Sequence, residues 1–141
     1  MPEQLRLDHV VIHVSDWART LQFYRAVLGA DVVANEEGAS NPAGSWALRF
    51  GEQQVNVHGP WPGRDAGSCC PAPLNRPGTA DLSFVWPGTT QSVLAHLRSC
   101  GLGAHEGPTP RFGGRGWGSS VYVLDPDQNS IELITYATAA E

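Results

Sequence analysis

Between Arg6 and Ser15 the chain reads RLDHVVIHVS, a run dense in β-branched residues that predicts a strand. Asp16 follows as a helix N-cap. Trp17, Leu21, Tyr24 and Leu28 then recur at three- and four-residue spacing, the signature of one helical face, and Gly29 supplies the stop. Three short β-type segments come next, at 30–34, 45–50 and 53–58, and Gly51-Glu52 reads as a tight hairpin turn between the last two. From Gly59 to Pro77 five prolines erase any periodicity, which predicts a linker or active-site flap over about 60–78. The pattern then starts again. Thr79–Trp86 reads as a strand and Thr90–Cys100 as a helix with Val93, Leu94 and Leu97 inward, stopped at Gly101. Strands at 102–106, 119–124 and 130–136 complete a second β-α-β-β-β order.

The two halves match in register as well as in order. An offset of 72 carries Gly29 onto Gly101, His9 onto Asp81, Ile12 onto Phe84 and Leu21 onto Val93. An offset of 76 then pairs Trp46 with Tyr122, Leu48 with Leu124, Val55 with Ile131, Asn56 with Glu132 and Val57 with Leu133. The signal is matched punctuation and apolar register, the mark of an internal repeat. Polar residues interrupt the apolar strands at equivalent points: His9, Asn56, Asp81 and Glu132. Such groups are costly inside a strand unless paired or bound to metal. His58 shares a strand face with Asn56, and His13 shares one with His9. Imidazole and carboxylate together suit a first-row divalent ion, and two His with one carboxylate leave coordination positions open.

Composition narrows the class. With 141 residues and a 41% hydrophobic content the chain can bury a core as a single domain, which excludes a disordered chain. A net charge of −5, with nine arginines and no lysine, argues against a nucleic-acid partner. No run approaches a membrane span, and the N-terminus lacks the order of a signal peptide, so a cytoplasmic location is expected. Cys69, Cys70 and Cys100 have neither a disulfide framework nor zinc spacing, and read as small apolar thiols.

The opening RLDHVVIHVSDWARTLQFYRAVLGADVV and the closing LDPDQNSIELI resemble the vicinal oxygen chelate superfamily, also called the glyoxalase/bleomycin-resistance/dioxygenase group. ALRFGEQQVNVHGP and GTADLSFVW resemble its branch of glyoxalase domain-containing and virulence proteins. The resemblance spans roughly residues 5–136. It implies an α+β fold in which paired βαβββ modules, about 5–59 and 79–137, form a U-shaped mixed sheet around a central cleft. It also implies a divalent metal ion (Fe, Mn, Ni or Zn) at His9 and Glu132, with His58 or Asp81 as third ligand. Asn56 stands where glyoxalases place Glu, which puts the glyoxalase I reaction itself in question. Gln128 stands where a glycine is usual.

The expected function is metal-dependent chemistry of lyase, isomerase or dioxygenase type on a small substrate with vicinal oxygens. The alternative is a non-catalytic protein of the same fold that sequesters an antibiotic or other small ligand. The metal set is His9, His58 and Glu132, with Glu132 and Asp81 as catalytic carboxylates. Trp46, Arg49, Asn56, Trp117 and Tyr122 are the candidate substrate contacts, with Arg49 and Arg111 suited to an anionic group. The segment 111–118 reads as a glycine-rich mobile loop, and His13, His96 and His105 carry no role. A homodimer is expected, with no membrane partner.

Overall fold

The computed structural model describes residues 4–35, 45–59 and 76–137. The chain divides into two compact units, 1–79 and 80–141. Of the predicted flap at 60–78, residues 60–75, with Cys69 and Cys70, lie outside the described residues.

In the first unit β1 (His9–His13) leads into α1 (Trp17–Leu28), then β2 (Asp31–Asn35), β3 (Ser45–Phe50) and β4 (Gln53–His58). The helix ends are those the sequence marks. The Asp16 carboxylate accepts from the Arg19 N–H at 3.0 Å, and Gly29 takes the left-handed conformation at φ 68°. The buried helical face is centred on Thr20, Tyr24 and Val27. The expected Trp17, Leu21 and Leu28 flank it half-buried. The sheet order is β1-β4-β3-β2, with β1 and β4 parallel and the rest antiparallel. Alternation sends Ile12, Val55, Val57 and Leu48 into the core, so the other face is free to carry polar groups.

The second unit repeats this plan: β5 (Asp81–Val85), α2 (Thr90–Ser99), β6 (Glu106–Gly113), β7 (Gly116–Leu124) and β8 (Ser130–Thr135), ordered β5-β8-β7-β6. Val93 and Leu97 of α2 are fully buried, as are Val121, Ile131 and Leu133, while Leu94 is half-buried. Two four-stranded mixed sheets, each with one helix, make the fold α+β with paired βαβββ units.

Two expectations need correction. The strand read at 102–106 lies at 106–113, and the supposed loop at 111–118 is a β-hairpin in which Gly113 pairs with Gly116. Its glycines and prolines disguise it. Pro108 and Pro110 are tolerated because β6 is an edge strand, where a missing N–H breaks no ladder bond on the solvent side.

The second correction concerns register. Arg49 pairs with Gln54 across four intervening residues, whereas Leu124 pairs with Ser130 across five. The longer turn slides β7 by one position. Tyr122 is therefore the counterpart of Ala47, and Trp46 that of Val121. A one-residue slip exchanges strand faces. Thus the matching of Trp46 with Tyr122 and of Leu48 with Leu124 fails, while Asn56 and Glu132 remain equivalent.

That longer turn holds Gln128 at φ 68°, the one positive-φ non-glycine residue among those described. An L side chain pays about 1–2 kcal/mol there. Gln128→Gly is expected to raise the unfolding free energy by about 1 kcal/mol after glycine's own entropy is offset. Urea denaturation checks this, and an unchanged or lower midpoint would contradict it.

Candidate functional site

In the first unit the ladder pairs His9 with Gln54, Val11 with Asn56 and His13 with His58. All six side chains therefore share the face opposite the core. The His9 Nδ1 lies 3.0 Å from the exposed Asp8 carboxylate, a contact that fixes the ring and leaves Nε2 as the second nitrogen. His58 meets His13 edge-on at 5.6 Å between ring centres. Burial holds the His58 imidazole below its ordinary value of 6.5, with further lowering from His13 and His9, and burial alone lowers His13. Both rings are thus biased toward the neutral form, the one that ligates metal. Arg49 Nε donates to Gln54 Oε1 at 3.2 Å, and Gln54 Nε2 donates to Asn56 Oδ1 at 2.6 Å. This chain orients the Asn56 amide.

The lowered imidazoles carry a pH consequence for metal-free protein. The unfolded chain binds protons at 6.5 while the folded one resists them, so stability is full above 6.5 and falls as pH drops below it. Unfolding midpoints measured from pH 7.5 down to about 5, above the ordinary carboxylate range, are expected to decline. The decline should flatten in His58→Gln. Equal slopes in both proteins would contradict this.

In the second unit Glu132 of β8 pairs with Ser83 on one side and Tyr122 on the other, and Tyr122 pairs in turn with Glu106. Asp81 opens β5 on the same face, exposed and opposite Ser130. Ser120 Oγ, fully buried, donates to Glu132 Oε1 at 2.6 Å. Arg111 Nε donates to the Tyr122 hydroxyl at 3.0 Å, and its Nη1 reaches Thr109 Oγ1 at 3.1 Å and the Pro110 carbonyl at 2.9 Å. The guanidinium carbon sits 5.6 Å from the Tyr122 ring centre, a cation–π contact. Burial pushes the Tyr122 phenol above 10.0. Arg111 pulls against that shift and the Glu132 charge adds to it.

A β-bulge makes this cluster possible. Glu106 pairs with Tyr122 but Thr109, not residue 108, pairs with Ser120. The extra residue re-aims β6, so Thr109 and Arg111 join the Glu132 face and the prolines leave it.

The candidates therefore separate. His9, His58, Asn56 and Arg49 share one face of the first unit, and Glu132, Asp81 and Tyr122 share one face of the second. Trp117 is not with them. It pairs with Phe112 on the other side of the hairpin, 72% exposed and edge-on to that ring at 5.7 Å. Trp46 is opposite Val57 in the ladder, and its side chain lies outside the described residues. Sequence reasoning missed Ser120 and Thr109, and gave His13 no role. Ser120 was detectable in principle, because it stands two residues before Tyr122 on one strand. The bulge hides Thr109.

Among the described residues no three His, Cys, Asp or Glu side chains gather into a group able to hold an ion. The donor chemistry itself fits a divalent first-row metal. In the first unit His9 and His58 are imidazoles on adjacent strands, four ladder positions apart, and in the second unit Glu132 is a carboxylate held by a hydroxyl.

The profile of the Glyoxalase/Bleomycin resistance protein/Dioxygenase superfamily matches residues 6–133, and the chain belongs to that superfamily. Virulence protein STM3117 of Salmonella typhimurium is 34% identical over 131 residues, 93% of this chain and 84% of that protein. Its crystal structure aligns with a TM-score of 0.82, covering 95% of this chain and 98% of that one. Glyoxalase domain-containing protein RDO1 of Mycosarcoma maydis is 37% identical over 133 residues, 94% of this chain and 69% of that protein. TnmS3, an antibiotic-binding protein from Streptomyces, shares the fold at 19% identity with a TM-score of 0.71, covering 97% of this chain and 100% of that one. No helix among the described residues is long and apolar enough to cross a membrane.

Proposed function

We propose that this protein is a metal-dependent enzyme acting on a small substrate with vicinal oxygens, by chemistry of lyase, isomerase or dioxygenase type. The observation that carries the reading is the β1–β4 register. It sets a row of imidazoles on one face of the first sheet, His58 beside His13 and four ladder positions along from His9, with burial biasing the His13 and His58 rings toward their neutral form. Glu132, at the equivalent of Asn56 in the second unit, is the carboxylate of the expected ligand set. A divalent ion bound by these residues would supply Lewis-acid stabilisation of negative charge on a substrate oxygen.

The chain's own groups do the rest. Asp81, exposed on the Glu132 face, accepts the substrate proton as general base. Asn56, oriented through Gln54 and Arg49, hydrogen-bonds the substrate, and Tyr122 packs against it. A homodimer is the expected assembly.

Elemental analysis of protein purified without a metal-affinity tag tests this reading, alongside His9→Ala and Glu132→Ala. About one equivalent of Fe, Mn, Ni or Zn is expected in the parent and none in either variant, with activity lost on chelation. Metal-free parent protein with no thermal shift on adding any of these ions would overturn it. Binding of a planar ligand that chelator leaves unchanged would then support the alternative of a small-ligand-binding protein, as the antibiotic-binding protein TnmS3 is.

A further inference from the structure

A chain of amides has its polarity fixed once the group at one end can only donate, and the first unit holds such a chain. A guanidinium carries N–H donors and no acceptor. Arg49 and Gln54 stand opposite each other in the β3–β4 ladder, and Arg49 Nε donates to Gln54 Oε1 at 3.2 Å. Gln54 must therefore give its oxygen to Arg49 and keep its Nε2 for the other side. That Nε2 donates to Asn56 Oδ1 at 2.6 Å along the same face of β4. Turning either amide over would set N–H against N–H. Asn56 is half-buried, its oxygen is engaged, and its Nδ2 makes no hydrogen bond among the described residues.

The two arginines suited to an anionic group also differ. Arg111 is committed to the Tyr122 hydroxyl, Thr109, the Pro110 carbonyl and Glu106. Arg49 is exposed and engages only its Nε among the described residues. A positive charge thus lies at the head of the chain that ends in an N–H donor. At the equivalent place in the second unit Glu132 accepts, from Ser120, so the two counterparts have opposite polarity.

We infer that Asn56 is a specificity-determining donor that binds a carboxylate-type oxygen of the ligand through Nδ2, and that Arg49, acting through Gln54, is the positioning residue that sets this polarity. The inference rests on the reading of this face as the substrate face and adds the class of group it takes: an oxygen acceptor, not an N–H donor. It also sets Asn56 apart from metal ligands, because an amide ligates through its oxygen, and here that oxygen is turned to Gln54.

NMR of the side-chain amides tests this, first without a ligand and then with oxalate as the probe, on protein as purified and after chelator treatment. In the parent a Gln54 Nε2 proton is expected to exchange with water more slowly than either Asn56 Nδ2 proton. Arg49→Lys, still a pure donor, should keep that order. Arg49→Glu, a pure acceptor, should draw Gln54 Nε2 to itself and move the protection to Asn56. Oxalate is expected to shift the Asn56 Nδ2 resonances, with affinity falling about 10–100-fold in Asn56→Ala. Gln54→Leu, which changes no charge, should weaken oxalate binding less. An order unchanged by Arg49→Glu, or Asn56 protected in the parent, overturns the inference. So does an Asn56 amide that oxalate leaves unmoved in protein that retains metal, and the metal reading then stands. Protein that holds no metal and still shifts at Asn56 with oxalate supports this inference and overturns the metal reading.

Discussion

Asp125→Ala is expected to lower the unfolding free energy by about 3–5 kcal/mol, on the scale for breaking a buried hydrogen-bond network. The Asp125 side chain is 4% exposed, and its two oxygens do separate work. Oδ1 accepts from the N–H groups of Asp127 and Asn129, each at 2.9 Å, and Oδ2 accepts from the Asn129 amide at 2.8 Å. Asn129 Oδ1 then accepts from the Ala80 N–H at 2.9 Å, which ties the β7–β8 turn to the start of β5. Alanine would leave two N–H donors and one amide without acceptors in a largely buried place. Asp125→Asn keeps the shape but sets two amide donors against each other, so a smaller loss of about 1–2 kcal/mol is expected. Urea unfolding by circular dichroism measures both. A loss below 1 kcal/mol for the alanine variant would show that water takes over the released donors.

The second large effect is expected at Gly107. Its φ is 93°, and a Cβ built there would lie 2.3 Å from the Ser120 carbonyl oxygen and 3.2 Å from the Val121 Cα. Both neighbours are backbone in an inner strand and cannot step aside. Gly107→Ala should therefore cost about 3 kcal/mol or more, combining a disfavoured dihedral with steric overlap. It should also disturb the site, since Gly107 lies in the bulge that turns Arg111 toward Tyr122. Gly103→Ala is the control. Nothing lies within 4 Å of its Cβ, and it should change stability by less than about 0.5 kcal/mol. If the two alanine variants unfold at the same urea concentration, the bulge is not the rigid element described here.

Much of the architecture was legible because local chemistry and global fold agree. Asp16 and Gly29 delimit α1 by capping rules that need no tertiary partner. The repeat was legible because apolar alternation and helix stops recur at a fixed offset, and the parallel pairs His9–Gln54 and Asp81–Ser130 reproduce it in space. What escaped were features set by backbone irregularity. The prolines of β6 imitate a loop until the edge position of that strand is known. The bulge at 106–109 and the extra residue between Leu124 and Ser130 each change which face a side chain occupies, and neither leaves a mark in composition. His9 and Glu132 were found as polar interruptions of apolar strands. Ser120 is a small residue in such a strand, and only its bond to Glu132 distinguishes it from filler.

The longer turn of the second unit also bears on how duplicated proteins diverge. Two copies of one module begin with identical inner and outer positions, and changing a strand's outward set by substitution requires many steps. One additional residue in a turn achieves the exchange at once. Here it retires a tryptophan's counterpart to the core as Val121 and brings Tyr122 out beside Glu132. The length of one turn therefore decides which of two consecutive side chains, Val121 or Tyr122, stands beside Glu132.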